Sequence, residues 1–261
     1  MASEAAESAG GTVGIVTAAL LVIGDEILSG RTKDKNIGYV AEYLTGVGID
    51  LKEVRVVPDE EPEIVATLNA LRARYTYVFT TGGIGPTHDD ITAECVAKAF
   101  GVAIEYHPRA VEIMQARVAL TGGVMNEARM RMTRVPKGGE LVLNRISGAP
   151  GFWIGNVIVM AGIPSVMQAM LEYVTPQLKT GARMLSDTVR ADCREGDIGT
   201  ELGEVAKKYP DVVIGSYPFM DEKGAANTNV VVRSRDPQRL AAVKQAVEAM
   251  LLRVKAELAK A

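Results

Sequence analysis

The residues in this chain best placed to do chemistry run from Thr80 to Asp90: Thr80-Thr81-Gly82-Gly83-Ile84-Gly85-Pro86-Thr87-His88-Asp89-Asp90. Three glycines within four residues let a backbone turn sharply and approach a ligand closely, because no Cβ intervenes. N–H groups in such a turn, next to a helix N-terminus, suit a phosphate. The two carboxylates that end the loop would repel a bare phosphate. They make sense with a cation between, and Mg²⁺ is the usual one. The expected chemistry is therefore phosphate chemistry with a divalent metal.

The elements that must hold this loop can be read outward from it. Tyr75 to Phe79 is a strand entering the loop, and Ile91 to Phe100 a helix leaving it. Ile15 to Ile23 reads as a strand buried on both faces, as parallel sheets require, and a polar loop from Gly24-Asp25-Glu26 to Lys35 ends it. Asn36 is expected to cap a helix carrying Ile37, Val40, Ala41 and Leu44. Ile49 to Val57 is a strand of imperfect alternation, and Pro58-Asp59 turns into a helix from Glu60 to Ala73. Strand–helix alternation predicts right-handed βαβ units and a parallel sheet covered on both faces. Ligands gather beyond the C-terminal strand ends of such sheets. Here those ends carry Gly24-Asp25-Glu26, Pro58-Asp59 and the glycine loop.

Further along, helices are expected over 108–120 and 124–133, then a turn at Pro136-Lys137-Gly138-Gly139 and a short strand over 141–143. The loop Ser147 to Trp153 enters another strand, Val157 to Met160 is a buried strand, and Ser165 is expected to cap a helix through Val166, Met170 and Val174. From about Thr180 the composition shifts. Strands over 185–191, 212–216 and 229–233, with helices over 198–207 and 237–258, predict a small α+β unit. The expected organisation is a disordered tail over 1–12, a main domain over 13–180 and the small domain over 181–261.

Composition bounds the rest. At 261 residues, 48% hydrophobic and 23% charged, the chain has the balance of an ordinary soluble globular protein. A formal net charge of −3 offers no basic face for nucleic acid. Only His88 and His107 occur, which excludes a histidine-rich zinc site. Cys95 and Cys193, each placed inside a regular element, read as packed thiols in a reducing compartment. The apolar run 13–23 is far shorter than the ~20 residues a membrane span needs. A cytoplasmic protein without a membrane partner is the expectation.

Thr80-Thr81-Gly82-Gly83, Gly85-Pro86 and Asp90-Ile91-Thr92 together resemble the signature of the molybdopterin-binding (MoaB/Mog) domain family. The resemblance continues through Ile23 to Gly30, Asn36, Val57-Pro58-Asp59, Gly148-Ala149-Pro150-Gly151 and Gly162-Ile163-Pro164-Ser165. It is similar to the N-terminal part of competence/damage-inducible protein A, and about equally to the related domain fused to FAD synthase. The C-terminal unit resembles their KH-like region. The resemblance implies a three-layer α/β sandwich with a mostly parallel sheet, plus a KH-like α+β unit. It implies a site for a phosphorylated pterin, molybdopterin included, or a dinucleotide. Asp59 and Asp90 match aspartates that serve Mg²⁺-dependent chemistry in the adenylyltransferase branch. The damage-inducible and FAD-synthase branches imply pyrophosphate hydrolysis of the ADP-ribose or FAD class. Homo-oligomers, dimers or trimers, are common in the family.

On this basis the expected catalytic residues are Asp59 and Asp90, with Asp25 and Glu26 joining them as metal ligands. Thr81, Gly82, Gly83, Gly85, Pro86, Thr87, Gly24, Gly30, Asn36, Gly148, Gly151, Gly162, Pro164 and Ser165 are the expected ligand-binding set. Each also has a plainer reading. Asp90 serves equally as a helix N-cap, Asp59 as a turn residue, and the isolated glycines as backbone-fit positions. His88 reads as an exposed loop residue, Arg129 and Arg131 as a solvated helix face, and Met125, Met130 and Met132 as packing. Ile84 stands where the adenylyltransferase branch has Thr, and Ala161 replaces the usual Pro before Gly162. The expected activity is metal-dependent pyrophosphate hydrolysis. The alternatives are molybdopterin adenylyl transfer and a binding-only molybdopterin carrier or sensor.

Overall fold

In the computed structural model of the protein, residues 14–260 are described, and they divide into two compact units, the second beginning at Ala182. The tail expected over 1–12 lies outside the described residues.

The first unit is built on strands β1 (Val16–Ile23), β2 (Ile49–Val57) and β3 (Tyr77–Thr81). The short helix α1 (Asp25–Leu28) and then α2 (Asn36–Gly46) link β1 to β2, and α3 (Glu61–Arg72) links β2 to β3. Then come α4 (Thr92–Phe100), β4 (Ile104–Tyr106), α5 (Pro108–Leu120), α6 (Glu127–Arg131), β5 (Arg134–Pro136), β6 (Glu140–Val142), β7 (Gly151–Ile154), β8 (Val157–Met160) and α7 (Pro164–Val174). The central sheet has the order β2-β1-β3-β8-β7-β6. β2, β1, β3 and β8 pair parallel, and β7 pairs antiparallel with both β8 and β6.

Strand alternation divides β1 between two cores. Val16, Ala18, Leu20 and Val22 face α2 and α7, packing with Val40, Leu44, Met167, Met170 and Leu171. Ala19, Leu21 and Ile23 face α3 and α4, packing with Ile64, Leu68, Leu71, Cys95 and Val96. Two apolar faces explain the unbroken run in the sequence, and helices on both sides make the expected three layers. The imperfect alternation of β2 has a local cause. The pairing steps from Ala18↔Leu51 to Ala19↔Glu53, so Lys52 is the extra residue of a β-bulge.

Several boundaries differ from expectation. Asn36 is the first residue of α2, not its cap: Asp34 Oδ2 accepts the N–H groups of Asn36 at 3.1 Å and Ile37 at 2.8 Å. Ser165 does not cap α7, which begins at Pro164 after Ile163. The helix expected over 124–133 shrinks to α6, capped by Asn126, whose side chain accepts the Arg129 N–H at 2.9 Å. β4 and β5 form a small antiparallel pair of their own, which three-residue strands leave unreadable in sequence.

The second unit contains β9 (Leu185–Arg190), α8 (Glu195–Lys208), β10 (Val213–Met220), β11 (Ala226–Ser234) and α9 (Pro237–Leu258). Its antiparallel sheet has the order β10-β11-β9. Val230 and Val232 of β11 pack with Ile198, Leu202, Val243, Val247 and Met250 of the two helices. This is the expected small α+β unit, with β10 and β11 longer than the sequence indicated and β9 one residue shorter. Cys193 lies between β9 and α8, outside any regular element. Both cysteines are free thiols, and burial pushes the Cys95 thiol up to about 12.

Candidate functional site

The parallel strands deliver their C-terminal ends to one edge, where backbone contacts stitch them together. Gly24 N–H donates to Val57 O at 3.1 Å, joining the ends of β1 and β2. Gly82 N–H donates to Met160 O at 3.2 Å, joining β3 and β8. Between these pairs the backbones almost touch: a Cβ at Gly82 would stand 2.1 Å from Ile23 O, and φ there is +102°. Gly83, with φ +64°, would collide in the same way with Thr92 Oγ1. Only glycine fits either position. Thr92, fully buried at the start of α4, donates its hydroxyl to Gly82 O at 3.0 Å and its N–H to Gly83 O at 3.0 Å. The glycine loop is thus clamped at both ends.

Asp90 closes the loop on itself. Its Oδ1 accepts the Gly85 N–H at 2.6 Å, and its Oδ2 accepts the Thr87 N–H at 2.8 Å and the Thr87 hydroxyl at 2.5 Å. The cap of α4 is Ile91, so Asp90 is not its N-cap. The carboxylate occupies the very loop donors expected to hold phosphate.

Asp59 sits across the edge from the loop, half-buried, with Oδ2 accepting the Asp25 N–H at 2.9 Å. Burial chiefly raises its carboxyl above the usual carboxylate range. The Asp25 N–H opposes this, while the charges of Asp25, Glu26 and Asp89 add to the rise. Four acids therefore share this edge. Among the described residues, no three His, Cys, Asp or Glu side chains come together as a metal-binding group. The donor set suits Mg²⁺ nonetheless, because that ion takes one or two carboxylates and completes its shell with water and phosphate oxygens.

Beside the loop lies a cleft of about 500 Å³, lined by Gly82 to Pro86, Asp90, Glu26, Thr32, Met132, Ser147, Ala149 and the Ala161–Pro164 turn with Val166. Of the residues expected to bind ligand, Gly82, Gly83, Gly85, Pro86, Gly162 and Pro164 line it. Thr81 is buried beneath the loop, and Thr87 lies on its exposed outer side. Asn36 works from behind, its Nδ2 donating to Gly162 O at 2.8 Å. Gly24 leaves room for the Glu26 carboxylate, which would meet a Cβ there at 2.5 Å. Gly151 fits against Val159 O and Gly148 against Arg117, and neither lines the cleft. Gly30 and Ser165 are exposed and outside it. His88 projects into solvent, its side chain 98% exposed.

Eight lining residues lie outside the expected site set: Ile84, Ala161, Ile163, Val166, Thr32, Met132, Ser147 and Ala149. The last two sit in a turn organised by Asn144, whose Oδ1 accepts the Ser147 N–H at 2.8 Å and whose Nδ2 donates to Ala149 O at 2.6 Å. The Asn144-to-Gly151 run of turn formers was the available signal.

Residues 19–180 match the family described as "Probable molybdopterin binding domain". The chain belongs to this family. Residues 183–257 of this molybdopterin-binding-domain protein match a second family, described as "FAD synthase, middle domain". A protein of Archaeoglobus fulgidus is 33% identical over 199 residues, 76% of this chain and 84% of that one. The "Probable FAD synthase" of Caenorhabditis briggsae is 30% identical over 263 residues, covering 90% of this chain. A "CinA-like protein" of Anaeromyxobacter dehalogenans is 32% identical over 84% of it. This chain spans about half the length of the last two, 50% and 52%. Among solved structures, the protein CinA of Thermoplasma acidophilum, described as of unknown function, superposes with a TM-score of 0.57 at 28% identity. That match covers 62% of this chain and 96% of the other. The fold of the first unit is therefore the MoaB/Mog-like α/β fold. No helix among the described residues is long and apolar enough to cross a membrane.

Proposed function

We propose that the cleft binds a phosphorylated pterin or a dinucleotide and that the edge beside it hydrolyses a pyrophosphate bond of the ADP-ribose or FAD class, using a divalent metal. The observation that carries this reading is the placement of Asp59, an acid of raised pKa, at the strand edge that also holds the glycine loop. A bound Mg²⁺ would be held by Asp59, with Asp25 and Glu26 nearest to assist. It would neutralise charge on the phosphoryl oxygens. Asp59 orients that edge through the Asp25 N–H, Asp90 holds the loop in shape, and the apolar wall of Ile84, Met132, Ile163 and Val166 suits a flat heterocycle. Ile84 supplies no hydroxyl to the loop, which favours hydrolysis over adenylyl transfer to molybdopterin.

The deciding experiment offers ADP-ribose, FAD, and molybdopterin plus ATP to the purified protein with Mg²⁺, Mn²⁺ and Co²⁺ in turn. Release of AMP from ADP-ribose or FAD, abolished in Asp59→Asn, is the expected result. Undiminished turnover in that variant overturns the assignment.

A binding-only carrier or sensor is the second reading. It is favoured by the Asp90 carboxylate, whose oxygens are both engaged within the loop. Saturable pterin binding with no turnover under any of the three metals would establish it.

A further inference from the structure

We infer that the Asp90 carboxylate is a stand-in for the ligand's phosphate: it fills an anion cradle in the glycine loop, and the phosphate binds by taking its place. The inference rests on reading the cleft as a site for a phosphorylated ligand.

The cradle is defined by its donors and by what fits over them. The Gly85 N–H meets Asp90 Oδ1 at 2.6 Å, and the Thr87 N–H and hydroxyl both meet Oδ2, at 2.8 and 2.5 Å. Converging amides in a glycine-rich turn are a general device for holding anions, phosphate included. Gly85 adds an independent sign. Its φ is not positive, so no turn demands glycine there. A Cβ would instead stand 2.6 Å from Asp90 Oδ2, so glycine at this position makes room for an anion. Gly85, Pro86 and Asp90 also line the cleft of about 500 Å³, so the cradle opens directly onto it. The charged residues lining that cleft are Glu26 and Asp90, both acids. A phosphate there meets no side-chain cation, and the loop donors are the groups that suit it.

The main chain is held where the side chain must move. The Asp90 N–H donates to Thr87 O at 3.3 Å, and Arg131 turns in to donate from Nη2 to Asp90 O at 3.3 Å. The sequence places Arg131 on a solvated helix face with Arg129, but Arg129 alone turns away, back to Val124 O. Thr92 clamps the loop's other end at Gly82 and Gly83. Rotation about the Asp90 Cα–Cβ bond therefore frees the cradle without unfolding the loop. The released carboxylate faces the cleft that Glu26 also lines. A dication between it and the incoming phosphate offsets the repulsion of the two anions. Phosphate affinity is thus coupled to metal, and without metal Asp90 keeps the loop closed to anions.

The probe is methylenediphosphonate, a pyrophosphate mimic that cannot be hydrolysed, with adenosine as the phosphate-free comparison. Affinities are measured by calorimetry in EDTA and in Mg²⁺ for the wild type, Asp90→Ala, Asp90→Asn and Glu26→Gln, with thermal stability recorded for each. In EDTA, Asp90→Ala is expected to bind the diphosphonate about tenfold or more tightly than the wild type. Asp90→Asn should gain less, and adenosine should be unchanged throughout. Glu26→Gln removes the cleft's other acid but leaves the cradle filled, so it should gain little. An equal gain in Glu26→Gln, or none in a folded Asp90 variant, overturns the inference. A second measurement needs no variant. Amide resonances of the wild type are followed as the diphosphonate is added with Mg²⁺, and those of Gly85 and Thr87 are expected to shift. If they stay fixed while other cleft amides move, or if nothing binds, the inference falls. Because binding is read without turnover, the two conclusions separate. Displacement of Asp90 with no AMP release from ADP-ribose sinks only the hydrolase reading. AMP release with the Gly85 and Thr87 amides unmoved sinks only the inference.

Discussion

Asp59 accepts the backbone N–H of Asp25 at 2.9 Å, so one acid of the site is held in place by the main chain of another. The bond fixes the carboxylate while three like charges crowd it, and burial outweighs the bond in setting its pKa. In the folded protein Asp59 therefore holds its proton more tightly than in the unfolded chain. Ionising it costs stability, a cost absent in acid and fully present once pH exceeds the raised pKa. Asp59→Asn should accordingly melt above the wild type at neutral pH and converge with it below the ordinary aspartate range. Thermal unfolding across pH 3–8 checks the sign. A variant less stable than wild type at neutral pH would refute it.

The same acid sets an expectation for turnover. If Asp59 must be ionised to hold metal, the acid limb of kcat/KM lies above the usual carboxylate range and moves to lower pH as Mg²⁺ saturates. Asp59→Asn should lose about 100-fold or more in kcat. A pH–rate profile at two metal concentrations measures both effects.

Gly82→Ala places a Cβ 2.1 Å from Ile23 O at φ +102°, where neither backbone can yield. It should destabilise the first unit by roughly 2–4 kcal/mol and abolish ligand binding. Gly30→Ala is the control. It shares a positive φ but meets nothing within 4 Å, so only about 1 kcal/mol of backbone strain is expected. Denaturant unfolding of the two variants gives the comparison.

Thr87→Val removes the hydroxyl that donates to Asp90 Oδ2 and leaves the Thr87 N–H in place. A loss of roughly 1–2 kcal/mol is expected, together with weaker ligand affinity as the loop loosens. Calorimetric titration and a melting curve on one preparation test both.

Met250 is fully buried in the core of the second unit. Met250→Ala should cost that unit about 2–5 kcal/mol and leave affinity in the cleft unchanged, because every lining residue belongs to the first unit. Loss of affinity in a still-folded variant would contradict this.

What could be read from the sequence was what rests on one residue type at one spacing. β1 and β3 announce themselves because both faces are covered, and the strand-end loops follow from parallel topology. Gly82 and Gly83 stand where no other residue fits. What could not be read depends on which of several equivalent groups wins a bond. Asp34 and Asn36 are both good caps two residues apart, and only the chain's path gives the role to Asp34. Asp90 at a helix start looks like a cap, yet the loop doubles back far enough for Gly85 and Thr87 to capture it. Lys52 breaks the alternation of β2, which is legible, but its meaning as a bulge needs the partner strand. Arg129 and Arg131 differ by two positions on a helix only five residues long, too short for periodicity to tell an inward side chain from an outward one.

The contact of Gly82 with Ile23 has a mechanical meaning. With no gap between them, the β1 end that leads into Asp25 and the loop that ends at Asp90 cannot shift independently. A ligand pressing on one must carry the other with it. The hydrogen bond from Asp25 to Asp59 then extends the same linkage to the end of β2. Three chain segments far apart in sequence so behave as a single anvil.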